Sequence, residues 1–152
     1  YYFITLGRNV ERADMTTRVI DVACLNLMGR QAEFDEQDNI LWMGVLQSLN
    51  AYQMYRQQVQ DRINGPEVVA FLLKDPAFPR SVNHCLAEVA SSFKHLPRHQ
   101  PALKAVNRAK RAIARAVTAE LLQTQSLHDF IDQAQADIST THNKLSQTWF
   151  LS

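Results

Sequence analysis

The stretch LGRNVERADMTTRVIDV, Leu6 to Val22, combines an apolar stripe at helical spacing with six charged residues. Leu6, Val10, Ala13, Thr17, Ile20, Cys24 and Leu27 recur at alternating steps of four and three. That spacing predicts one long bundle helix from about Tyr2 to Met28. On a helical wheel, Glu11, Asp14 and Arg18 are expected beside the core stripe, with Arg8 and Arg12 on the next face around. Met15, Val19 and Val22 occupy the opposite face, so the helix is expected to touch protein on most sides. Its charges are then partly buried and must be paired, because an isolated buried ion costs several kcal/mol. Glu11 can reach Arg8 or Arg18, and Asp14 can reach Arg18. Two readings follow. One is a structural ion network that fixes helix register; the other is a carboxylate site gripped by arginines.

The remaining chain reads as more helix. A polar connection, RQAEFDEQDN, follows Gly29, with Asp38 or Asn39 expected as the next N-cap. A second helix is predicted over about Ile40 to Gln60, and NGP at Asn64 to Pro66 breaks the chain before the short apolar PEVVAFLL. Two prolines in KDPAFPR stop that helix. A fourth helix runs from about Pro79 to His95 on Val82, Leu86, Val89 and Phe93. The fifth covers about Ala102 to Gln123 on Leu103, Val106, Ile113, Val117 and Leu121. The sixth opens at Ser126, with Asp129 in a capping-box position, and continues on Leu127, Ile131, Ala134, Ile138, Thr141 and Leu145. The expectation is an all-α bundle of about six helices in a single domain. Helices one, two, five and six are long, and the short third and fourth pack between them.

Composition narrows the function classes. The 152 residues carry a net charge of +1, so no global field attracts nucleic acid or an anionic membrane. No apolar run reaches the ~18–20 residues of a membrane span. Only two cysteines, Cys24 and Cys85, fit reduced thiols and a cytoplasmic location. Neither a metal site nor a cofactor site is expected. His95 and His99 are four apart, but Pro97 breaks the helix that would align them. His84 and Cys85 are adjacent and point about 100° apart. Lys104, Arg108, Arg111 and Arg115 line one face of the fifth helix, with Lys110 nearby; a solvated face is the stronger reading, and docking to an acidic partner or to nucleic-acid phosphate are the functional ones, the last weakened by the near-zero net charge and the lack of interleaved aromatics. The acids Glu33, Asp35, Glu36 and Asp38 could pair with that face. The Phe78-Pro79-Arg80-Ser81 segment opens a helix whose N-terminus, with Arg80 and Ser81, suits a carboxylate; capping by Ser81 and pairing of Arg80 with Asp75 or Glu11 are the structural alternatives.

Four segments in order, LGRNVERADMTTRVIDV, LWMGVLQSLNAYQMYR, VVAFLLKDPAFPRSV and LHDFIDQAQ, resemble the alpha-E family. This bacterial all-helical family is named for its Glu-Arg motif, here Glu11-Arg12. The order of the segments resembles the carboxy-terminal half of a longer family domain. The resemblance implies association with circularly permuted ATP-grasp ligases. It maps Arg8, Glu11, Arg12, Arg80 and Ser81 onto family motifs without assigning them roles. The resulting expectation is a non-catalytic helical module that docks such a ligase or binds an acidic peptide-like substrate. The binding or structural ion network comprises Arg8, Glu11, Arg12, Asp14, Arg18, Arg80 and Ser81. One alternative is an amide-bond enzyme with Glu11 as general base beside an arginine oxyanion clamp. A structural bundle that forms homo-oligomers is another.

Overall fold

The computed structural model describes residues 1–28 and 36–151, which hold eight helices and no strand. In order they are α1 (Tyr2–Met28), α2 (Glu36–Ser48), α3 (Tyr52–Gln58), α4 (Gly65–Lys74), α5 (Val82–Phe93), α6 (Gln100–Arg115), α7 (Thr118–Gln123) and α8 (Leu127–Trp149). The α1 span matches its sequence pattern end to end. The Gly29 stop, the connection that follows it, Glu33, Asp35 and the side chain of Glu36 lie outside the described residues. Asp38 and Asn39 are not N-caps, because α2 already begins at Glu36.

Two predicted helices are each divided in two. The helix expected over residues 40–60 stops at Ser48, where Asn50 takes the left-handed conformation at φ 52°. The Asn50 N–H returns to the Gln47 carbonyl and the Ala51 N–H to the Leu46 carbonyl. These two bonds close a Schellman motif, here with Asn where Gly is usual. The fifth predicted helix breaks at Ala116 and Val117, whose backbones are extended. There the Thr118 hydroxyl donates to the Pro66 carbonyl at 2.8 Å and α7 turns to pack on α4. Val117, expected in the core, is consequently exposed. A second Schellman closure at Gln125, φ 56°, precedes α8. Ser126 makes no side-chain cap; its hydroxyl meets that of Thr124, so the expected capping box does not form.

The four helices that pack around one another are α1, α5, α6 and α8, each touching its two neighbours in that cyclic order. The short fourth predicted helix, not the second, completes this square, because α5 buries nearly a whole face: Val82, Cys85, Leu86, Val89, Ala90 and Phe93. Meanwhile α2, interrupted after Ser48, lies outside the square against α1 and α4. A continuous buried cluster runs from Leu6 in α1 to Leu145 in α8. Phe93 stacks on Trp149 with ring centres 5.5 Å apart, and Phe3 meets Trp149 and Phe150 edge-on, closing one end. Among the described residues, no helix is long and apolar enough to cross a membrane.

Gly65 starts α4 hard against Trp42. A methyl group there would lie 2.8 Å from the indole Nε1 and 3.1 Å from Cε2. Trp42 is buried in the core and cannot swing away. Gly65→Ala is therefore expected to destabilise the fold by about 1–3 kcal/mol through overpacking. Urea denaturation measures this, and an unchanged midpoint contradicts the packing.

Candidate functional site

The charged residues of α1 do not form the expected inward network. Arg8, Glu11 and Arg18 are exposed, and Arg12, Asp14 and Asp21 are half-buried. Among the described residues, Asp14 and Arg18 are the α1 charges that pair with each other, at 2.7 Å, and the Arg18 side chain is 68% exposed. The hydrogen bond and charge of Asp14 raise the Arg18 pKa, but so exposed a pair contributes little to stability. The reason is geometric: Leu6, Ala13, Thr17 and Ile20 have no water access, so residues half a turn away face outward. Glu11 and Arg18 belong to that outer face, together with Met15 and Val22, and Glu11 has no ionic partner among the described residues.

The best-built polar region is the corner from Lys74 to Ser81. Pro76 and Pro79 end α4 and delay α5. Asp75 is buried, and its carboxylate accepts the backbone N–H groups of Ala77 at 3.0 Å and Phe78 at 2.7 Å. Such an Asx arrangement follows from an Asp before a turn. Ser81 is fully buried; its hydroxyl donates to the Asp75 carbonyl and accepts the His84 N–H at 3.0 Å. It caps α5, and both its hydrogen-bonding roles are spent on the corner. The Asn83 amide donates to the Lys74 carbonyl at 3.0 Å, and the His84 ring meets the Pro76 carbonyl at 2.9 Å. Arg80 pairs with neither Asp75 nor Glu11: its guanidinium makes one long contact, 3.4 Å, to the Leu49 carbonyl.

Arg80 is tied to α1 through its backbone. The buried Thr16 hydroxyl donates to the Arg80 carbonyl at 2.7 Å. Arg12 lies one turn before Thr16 on α1, so both arginines flank the same seam between α1 and α5. Cys85 lies beneath that seam. Burial pushes its thiol up to about 12, while the charges of Arg12 and Arg80 pull the other way. An inert, protonated thiol suits the core role expected of Cys85, and burial likewise pushes Cys24 up to about 12. Arg12 and Arg80 are half-buried, and among the described residues neither has a carboxylate within 4.0 Å. The seam therefore presents two half-buried arginines with donors to spare.

A second cluster was not legible in the sequence, because its members lie 107 positions apart. His128 Nδ1 meets Asp21 Oδ1 at 2.5 Å, and Nε2 meets Asp132 Oδ2 at 3.5 Å, linking α1 to α8. These three residues have the donor types of a metal site, but both ring nitrogens already face carboxylates. The arrangement suits a protonated imidazole bridging two acids; an ion would have to displace these contacts. Elsewhere, His95 stacks on Tyr2 and His99 contacts the Leu96 carbonyl. Lys104, Arg108, Arg111 and Arg115 are all exposed on α6, and Lys110 is half-buried. An apolar groove also runs between α1 and α2, walled by Val19, Val22, Ile40, Leu41 and Val45.

Two stability measurements separate these placements. In dilute, monomeric solution Glu11→Ala is expected to change the unfolding free energy by no more than about 0.5 kcal/mol, as for an exposed side chain. Asp75→Ala leaves the buried Phe78 N–H and the partly buried Ala77 N–H without their acceptor and is expected to cost about 1–3 kcal/mol. The reverse order in chemical denaturation contradicts the geometry. The hydrogen bond to Asp21 raises the His128 pKa above its ordinary 6.5. Its stabilisation is fully present below pH 6.5 and is lost as pH rises through the raised folded value. The melting-temperature gap between the wild type and His128→Gln should shrink across that rise; a gap that grows with pH contradicts the bridge.

No curated protein and no solved structure matches the chain. One family model does, across residues 1–150: Alpha-E, described as a predicted alpha-helical domain with a conserved ER motif. In this chain the motif is Glu11-Arg12, one residue turned out to solvent and the next leaning into the α1–α5 seam. With an all-helical fold and a match over essentially its whole length, the chain belongs to the Alpha-E family.

Proposed function

We propose that the chain is a helical accessory module of an ATP-grasp-type peptide or amide ligase system. In this reading Arg12 and Arg80 hold carboxylates of an acidic, peptide-like substrate. One observation supports the binding: two half-buried arginines flank one seam with no carboxylate within 4.0 Å among the described residues. Partial burial weakens their hydration, so an incoming carboxylate gains charge-assisted hydrogen bonds against a reduced desolvation cost. Planar forks also favour a carboxylate over a spherical anion. The rigid corner around Asp75 and Ser81 fixes where Arg80 leaves the backbone. Support for the ligase partner comes from the four-segment family resemblance alone. Glu11 is not assigned a general-base role, because it is exposed and does not line the groove between α1 and α2.

Titration calorimetry with a short oligoglutamate peptide at low salt tests the binding. Arg12→Gln and Arg80→Gln are each expected to weaken the affinity roughly tenfold while leaving the fold intact. Absence of wild-type binding, or affinity indifferent to both changes, contradicts the site. Copurification with an ATP-grasp protein tests the partner separately.

A further inference from the structure

The outer face of α1 carries a second stripe. Ile4, Glu11, Arg18 and Leu25 stand seven residues apart, with Arg8, Met15 and Val22 between them. Alternating steps of four and three are the spacing of a coiled-coil seam. This seam faces away from α5 and α8, which cover the core stripe. Ile4, Met15, Val22 and Leu25 are 53–68% exposed. Four large apolar side chains in heptad register are not the pattern of a solvated helix face. Ile40 of α2 extends the apolar surface on the far wall of the neighbouring groove.

The order of residues along the seam indicates what covers it. Read forwards, Ile4, Glu11, Arg18 and Leu25 are apolar, acidic, basic and apolar. The series is complementary to its own reverse. We propose that α1 pairs antiparallel with α1 of a second copy of this chain, about a two-fold axis near Met15. Each Glu11 then faces Arg18 of the other copy, and each Ile4 faces Leu25. Each Val22 faces Gly7, where nothing lies within 4 Å of a Cβ position, leaving a slot for a branched side chain. Both copies use the same patch, as two-fold symmetry requires. A parallel pairing would set Glu11 on Glu11 and Arg18 on Arg18, which like charges oppose. Arg18 keeps its own Asp14 at 2.7 Å and has donors left for the incoming Glu11. The surface does not involve Arg12 or Arg80, so it stands or falls independently of the carboxylate site.

Sedimentation equilibrium tests the pairing with two charge reversals. The wild-type chain is expected to dimerise. Glu11→Arg and Arg18→Glu should each weaken dimerisation roughly tenfold or more, since every ionic contact becomes a repulsion. Mixed in equal amounts, the two variants should form a heterodimer at least as tight as the wild-type dimer, because acid again faces base at both contacts. Circular dichroism should be unchanged, as both positions are exposed. A dimer indifferent to the reversals, or a mixture no tighter than either variant alone, overturns the pairing. So does a wild-type chain that stays monomeric through the micromolar range, which assigns the face to a different polypeptide.

Discussion

Leu6, Ala13, Thr17 and Ile20 lie on one side of α1 without access to water, pressed against α5 and α8. Helical periodicity turns that burial into directions for every other residue of the helix. Thr16 and Arg12 look along the α5 seam, Asp21 meets α8 through His128, and Glu11, Met15, Arg18 and Val22 face outward. The Glu-Arg motif therefore spans two environments. Its glutamate stands in solvent, and its arginine is held where water is partly excluded.

The corner after α4 has a different character. Phe78 anchors it in the core by stacking on Phe71, and hydrogen bonds to the backbone specify the rest of its path. The Asp75 carboxylate, the Ser81 hydroxyl, the Asn83 amide and the Thr16 hydroxyl each satisfy a main-chain group that the two prolines leave outside a helix. Losing one such partner strands a buried donor or acceptor, which costs more than the bond contributes when intact. Rigidity here matters for function because the backbone of Arg80 is anchored while its guanidinium is almost unengaged.

How much of this could be read from residues alone varied with the range of the interaction. The α1 pattern was legible because its stripe is unbroken, and Ser81 was recognisable as a cap from its place before Val82. The division of two helices was not. Asn50 performs the left-handed turn in place of a glycine, and the break before Thr118 depends on a bond to Pro66, 52 positions away. The outer face of α1 was not legible either. Apolar Met15 and Val22 opposite the core suggested protein on all sides, which drew the charges inward; instead those apolar residues are exposed with the charges. Contacts such as Thr16 with Arg80 and Asp21 with His128 join distant segments, and no local spacing announces them.

Thiol labelling along α1 tests the orientation of this helix most directly. Single cysteines would be placed by Leu6→Cys, Glu11→Cys, Ala13→Cys, Met15→Cys, Arg18→Cys and Ile20→Cys, and labelled in dilute solution where any association is broken. Both native thiols are buried and serve as internal controls. The account predicts rapid labelling at positions 11, 15 and 18 and protection by orders of magnitude at 6, 13 and 20. Rapid reaction at 13 and 20, or protection at 11 and 18, would mean that the charges of α1 face the core after all.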